Sequence, residues 1–318
     1  AYDLEIEQTA LFGEVTFAAT DKLSFTGGAR WFNQEQELAL QQGNLLAGNK
    51  VNVATDYLFN NEAKQFSEDD WVPKLNATYQ INDEVMTYAT YSEGFRPGGV
   101  NRRGDLPPYK ADYLKNYELG WKTSWRDNSI RFNGAVFLEE WDDFQFAFLG
   151  QSSLTQIANA ANARIEGIEA DVQWAVTDAL TLAGGAAWIS AELTKPYCGE
   201  LDENGNDLDP CPQDPLAPDG QQLPVTPEFK GNLSARYDFA AGGWDAHVQG
   251  VVAYVGDRWA DLRTEQREIL GEIEAYTLAN FTAGIARDGY TLELFVNNAF
   301  DERGQLDRWA QCDAAICG

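Results

Sequence analysis

Four segments of this 318-residue chain gather side chains able to hold a solute or form a cross-link. The first, "EGFRPGGVNRRGDLPPYKAD" at 93–112, concentrates Arg96, Arg102, Arg103 and Lys110 beside Phe95, Asn101 and Tyr109. Guanidinium groups grip carboxylates and phosphates in pairs of hydrogen bonds, so this cluster suits an anionic or chelated substrate. The competing reading is structural, with "FRPGG" as a strand-to-loop transition and the arginines paired to neighbouring acids. The second segment holds Trp141, Asp142, Asp143, Phe144 and Phe148. Its rings suit stacking on a sugar or aromatic ligand and its acids suit hydroxyls; a rim network of the wall is the plainer account. In the third, "VGDRWADLRTEQRE", Arg258, Trp259 and Arg263 lie in a loop-like setting.

The fourth segment, "CGELDENGNDLDPCPQDPLAPDG", contains Cys198 and Cys211, while Cys312 and Cys317 lie together near the end. None sits in an apolar stretch where buried free thiols are usual. Two local disulfides are the expectation, implying an oxidising compartment. The alternatives are reduced surface thiols, or a zinc site that lacks the close paired spacing of a ribbon or finger. Asp202, Asn204 and Asn206 start like a calcium loop, but the glycine and terminal glutamate do not follow in register. An acidic surface loop is the reading, a loop-bound divalent cation the alternative, and no other cofactor is expected.

Catalysis is not expected. The one histidine, His247, lies on a strand where a polar contact accounts for it. Glu139 and Glu140 are adjacent and face opposite ways on a strand, which does not suit paired acid–base work. Lys and Arg number 23 against 50 Asp and Glu, a formal charge of -27. Such a surface repels nucleic acid. Aromatic residues at 13% exclude disorder as the reason for that charge. No run of apolar residues is long enough for a membrane-spanning helix.

Period-two alternation must position these segments. In "TLELFVN", Leu292, Leu294 and Val296 share one side, and Thr291, Glu293, Phe295 and Asn297 the other. The same layout recurs in about twelve strands, several of nine or more residues. Six tight turns are expected, near 20, 83, 127, 178, 241 and 288. Long connections lie between them, at roughly 39–68, 93–112, 149–160, 193–224 and 257–273. Turns at one end and loops at the other predict an all-β, antiparallel transmembrane barrel with periplasmic turns and extracellular loops. Side chains then alternate between lipid and lumen, because lipid offers the backbone no partner outside a closed sheet. Asp171, Asp245 and Glu293 are expected in a wet interior, and Val172, Val248 and Leu294 against acyl chains. Trp31, Tyr79, Trp121, Trp174, Trp188 and Trp244 suit interfacial girdles. "EEWDDFQFAFL" is read, at its start, as wall rising above the membrane.

The segments "TALFGEVTFAATDKLSFTGGARWF", "WVPKLNATYQINDEVMTYATYSEGFRPGGVN", "YLKNYELGWKTSW", "NARIEGIEADVQW", "LPVTPEFKGNLSARYDF" and "LANFTAGIARDGYTLELFVNNAFDE" together resemble the carboxy-terminal part of TonB-dependent outer-membrane receptors. The resemblance spans nearly the whole chain. It implies a plug followed by a barrel of about 22 strands, of which strands 10–21 of that barrel are present here. The plug, the energy-coupling box and the first barrel strands are not in this sequence, which opens directly on "AYDLEIEQTA". The expectation is therefore a partial chain, or a split receptor completed by a second chain. By resemblance the function is energised, substrate-gated import of a scarce bulky solute across the outer membrane of a Gram-negative bacterium. Iron chelates, other organics and oligosaccharides are the substrate classes. The implied partners are a TonB-type energy-coupling protein and outer-membrane lipid with lipopolysaccharide. A passive porin-like channel and a non-transporting ligand-binding surface protein remain the alternatives.

Overall fold

A computed structural model describes residues 2–40, 64–101, 108–149, 155–159, 161–199, 207–208 and 210–308. The chain runs through β1 (Tyr2–Ala18), β2 (Leu23–Leu40), β3 (Lys64–Asn82), β4 (Val85–Arg96), β5 (Asp112–Trp125) and β6 (Ile130–Asp142). A short hairpin follows, β7 (Gln145–Leu149) and β8 (Thr155–Asn159). Then come β9 (Ala163–Ala175), β10 (Leu180–Leu193), β11 (Phe229–Ala241) and β12 (Trp244–Val255). Next are β13 (Arg258–Trp259), α1 (Thr264–Leu270), β14 (Glu272–Ile273), β15 (Tyr276–Arg287) and β16 (Tyr290–Val296). Twelve strands form one antiparallel sheet in the order β1-β2-β3-β4-β5-β6-β9-β10-β11-β12-β15-β16. Each long strand pairs with its neighbour in sequence, as a meander must when six tight turns alternate with loops.

The sheet has the two faces that the alternation demands. Leu292, Leu294 and Val296 are 59%, 69% and 55% exposed. Leu11, Val15, Leu75, Leu119, Val136, Ile168, Val172, Leu233, Val248 and Val252 stand exposed on the same side of the sheet. An apolar surface of this extent is not how a water-soluble sheet ends; it is a lipid-facing band. Polar contacts cross the strands on the opposite face. Lys74 Nζ lies 3.1 Å from Glu14, Asn76 Nδ2 donates to Thr90 at 2.8 Å, and Tyr88 Oη to Glu118 at 2.6 Å. Asn133 Nδ2 donates to Asp171 at 3.1 Å, and His247 Nε2 lies 3.6 Å from Glu293. Tyr88 lies across its strand partner Gly120, where a Cβ would come within 2.3 Å of the ring. Glycine is used there because an aromatic ring occupies the pleat.

One expected boundary moves. β2 reaches Leu40 and β3 begins at Lys64, so the strands extend into the stretch read as connection at 39–68. The start of "EEWDDFQFAFL" continues the wall to Asp142, as expected; Asp143, at φ 56°, then turns the chain into the separate β7–β8 hairpin.

Candidate functional site

The strands do not all rise straight. β3 pairs with β2 from Leu23↔Tyr79 to Leu38↔Lys64, but with β4 only as far as Lys74↔Ser92. The next β3 residue toward the loops is Pro73, which has no N–H for a ladder. Above this point β4 and β5 lean across the polar face of β2–β3. Phe95 stacks on Phe32 with centroids 3.8 Å apart, and the Tyr113 ring follows at 6.3 Å. Gln36 Nε2 donates to the Gly98 carbonyl at 2.9 Å, and Gly98 N–H to Glu68 at 2.8 Å. A Cβ on Gly98 would lie 2.5 Å from the Phe66 ring and 2.6 Å from the Tyr109 carbonyl, so only glycine fits. Burial raises the pKa of Glu68, opposed by backbone N–H donors from Gly98 and Ala111.

This lean brings residues 93–101 and 108–112 over the interior. Asp112 is 1% exposed and binds the Arg96 guanidinium through Nε at 2.9 Å and through Nη2. It also accepts the Gln145 N–H at 3.0 Å. Arg96 lies over the rings of Trp141 (4.8 Å) and Phe144 (5.7 Å), which meet edge to face. Its side chain remains 48% exposed, so an aromatic shelf carries a half-exposed cation fixed by a buried carboxylate. The Gln145 amide donates to the carbonyls of Pro97 and Lys110, both at 3.0 Å. Asn101 holds both backbone groups of Ile157, at 2.8 and 2.9 Å, and Asn159 holds Lys110 and Asp143. Tyr109 pairs with Gly99. Predicted residues Phe95, Arg96, Asn101, Tyr109, Trp141 and Phe144 thus gather in one rim network; Arg102 and Arg103 lie outside the described residues, as do the side-chain surroundings of Phe148.

The remaining candidates belong to a second part of the rim. Arg258 is 4% exposed and donates to the carbonyls of Gln305 (2.6 Å) and Leu306 (3.2 Å), tying the segment after β16 to the wall. Arg267 of α1 lies 5.3 Å over the Trp259 ring and donates to the Gln222 carbonyl. Burial lowers its pKa to about 10, still protonated at neutral pH. Cys198 and Cys211 form a disulfide with Cα atoms 5.3 Å apart, as expected. Cys312 and Cys317 lie outside the described residues. So do Asp202, Asn204 and Asn206, while Asp207 accepts the N–H groups of Cys198 and Gly199, both at 2.8 Å. Among the described residues no group of three His, Cys, Asp or Glu is placed to hold a metal ion. Phe144, Phe146, Leu193, Tyr197, Ala217, Leu223 and Leu262 pack into one apolar cluster, joining the β7–β8 hairpin, the disulfide loop and the loop before α1.

Sequence reasoning missed Asp112, Gln145 and Asn159. Their signal was present: a carboxylate or amide at the strand side of a long loop often closes that loop. The partner, though, is 16 residues away for Arg96–Asp112 and 49 for Asn159–Lys110.

The profile of TonB-dependent receptor-like β-barrels matches residues 1–299. The metal-pseudopaline receptor CntO of Pseudomonas aeruginosa strain UCBPP-PA14 is 28% identical over 249 residues, 77% of this chain and 31% of that protein. The probable TonB-dependent siderophore receptor PiuA of Acinetobacter baumannii is 23% identical, over 74% of this chain and 30% of its own length. This chain therefore spans about a third of such relatives. Among solved structures, the ferric yersiniabactin uptake receptor FyuA from Yersinia pestis superposes with a TM-score of 0.77 at 19% identity. That match covers 97% of this chain and 43% of FyuA, and shows a shared fold. The chain belongs to the TonB-dependent receptor β-barrel family, and its exposed apolar band is the lipid-facing surface of an outer-membrane barrel.

Proposed function

We propose that this chain is part of the wall and rim of an energised outer-membrane importer for a bulky metal chelate. In this reading it supplies strands 10–21 of a larger barrel whose remaining strands and plug lie in residues beyond this sequence or in a second chain. A TonB-type protein supplies the energy, and the chain itself catalyses no reaction. The observation that carries the reading is the Arg96 shelf. In a chain of net charge -27, a half-exposed guanidinium stands on Trp141 and Phe144 above a polar lumenal face. Metal chelators present carboxylates, catecholates or heteroaromatic rings, which such a shelf meets by charge and by stacking. The names of the relatives, metal-pseudopaline and ferric-pyoverdine receptors, favour a chelate over a sugar.

The test is uptake of radiolabelled iron, nickel and zinc, each with a panel of chelators, by cells carrying or lacking the full-length protein. Uptake that needs the protein, one chelator class and the proton-motive force is expected. Paired replacement Arg96→Gln with Asp112→Asn keeps the buried contact neutral and is expected to lower apparent affinity about tenfold, the loss of one charge-assisted contact. Energy-independent permeation of small solutes, unaffected by uncouplers, would refute the reading in favour of a passive channel.

A further inference from the structure

The ladder that ends at Pro73 leaves a strand edge without a neighbour. Gln80 N–H donates to the Lys22 carbonyl at 2.7 Å, which sets the alternation along β3. Even-numbered β3 residues hydrogen-bond β2, and odd-numbered ones point the other way. Leu75, Ala77 and Tyr79 therefore face β4, to which they are paired. Trp71, Asp69, Ser67 and Gln65 face the place where β4 has left the sheet. Trp71 N–H turns instead to the carboxylate of its own neighbour Asp70, at 2.7 Å. Among the described residues, no backbone group pairs with this edge. β4 and β5 do not close it, because they lie against the even-numbered side, with Phe95 on Phe32 and Gly98 on Glu68.

We propose that this edge, residues 65–71 of β3, is a docking site to which an extended peptide segment bearing Lys or Arg adds as a further strand. Strand addition draws its affinity from main-chain hydrogen bonds; Gln65, Ser67 and Asp69 offer both partners at alternate residues, and Trp71 its carbonyl. Charge selects the occupant. Asp69 stands on the edge strand itself, and Glu37 and Glu35 lie one strand further in, opposite Gln65 and Ser67 on the same face. Residues 3–10, 31–40 and 65–73 contain no Lys or Arg. An added strand meets Asp69 as its cross-strand neighbour and lies about 10 Å from Glu35 and Glu37, so a cationic strand is attracted there while a neutral or acidic one is not. The edge also lies beyond the Trp31–Trp71 pair, on the loop side of the apolar band, where a water-borne peptide reaches it. Proline and charge also serve to blunt edges against pairing, which is the outcome the test must separate.

The test needs no transport and stands apart from the import reading. Full-length protein in lipid nanodiscs is titrated with a fluorescein-labelled decapeptide of alternating Lys and Thr. The controls are the Glu–Thr decapeptide and the Lys–Thr decapeptide N-methylated at every residue. The Lys–Thr peptide is expected to bind at least about tenfold tighter than either control. It should slow hydrogen exchange at Gln65, Ser67 and Asp69, leaving even-numbered β3 amides unchanged. Ser67→Pro removes one edge N–H, as Pro73 already does, and should weaken binding about fivefold. Should that variant lose protection at its even-numbered amides, Asp69→Asn is used in its place, with a weaker dependence of binding on salt expected. Equal binding of either control overturns the proposal, as does no binding at all. Edge amides already protected without peptide also overturn it, since another part of the chain would then occupy the edge.

Discussion

Replacing Leu233 by arginine separates a lipid-facing wall from any other use of the same alternation. Leu233 is 58% exposed on β11, four residues from Phe229 (46%) and four from Tyr237 (48%) on the same face. The eight steps between those rings cover roughly 26 Å of strand at about 3.3 Å each. A tilt of about 40° leaves roughly 20 Å along the membrane normal, close to the apolar band of an outer-membrane barrel. Leu233 therefore sits near the bilayer midplane, where an arginine costs about 2–4 kcal/mol. The neighbouring Asn232 lies on the polar face between Gly185 and Ala253, where small side chains leave room. Asn232→Arg places the same charge in water and is expected to cost within about 1 kcal/mol. The measurement is reversible guanidinium unfolding of the full-length protein in lipid vesicles, followed by tryptophan fluorescence. Equal shifts for the two variants, or the larger loss for Asn232→Arg, would refute the assignment of faces on which everything else rests.

Three further outcomes follow from the rim. Asp112→Ala leaves the Arg96 guanidinium and the Gln145 N–H without their acceptor; because Arg96 is half exposed, the loss is expected near the lower end of the range for a broken buried pair, about 2–3 kcal/mol, read as faster exchange at 97–101, 108–111, 145–149 and 155–159. The double replacement Cys198→Ser with Cys211→Ser opens a loop of sequence separation 13 and is expected to cost about 3 kcal/mol of local stability, seen as new proteolysis between 194 and 225 with the barrel intact. Glu68 has a folded pKa raised by burial, so the folded form binds protons more tightly than the unfolded chain. Docking of Gly98 and Ala111 on β3 should therefore weaken as pH rises from the ordinary Glu value through the raised one. Glu68→Gln keeps an acceptor for Gly98 and should flatten that dependence; an unchanged slope in the exchange rates of Gly98 and Ala111 would assign it to another group.

Much of the architecture was written locally. "TLELFV" and its relatives state which residues share a side, because a strand turns its side chains over every residue. "ATD", "NDE", "RDN", "TDA", "AAGG" and "RDG" state where the chain reverses. The cysteine pair at 198 and 211 was readable because both lie in one short segment. The rim was legible only as a list of residue types. Arg96 stood out as a cation among acids, yet its anchor Asp112 read as one acid among many. Arg258 looked like a loop residue and is instead buried against carbonyls of residues 305 and 306. The end of β3–β4 pairing was hidden in plain sight at Pro73, whose effect depends on which way its missing N–H would have pointed.

The sequence by itself determined the faces, the turns and the order of strands, because each depends on residues one to ten positions apart. The tertiary structure alone decided where β4 parts from β3, which arginine is stacked and half-exposed, and which is consumed in holding a loop. Those outcomes depend on partners 16 to 62 residues distant, several of them brought together by the leaning of β4 and β5 across the sheet. Hydrogen bonding and burial at such range have no periodic trace in the chain, since the same arginine beside the same acids meets either demand until the backbone positions are set.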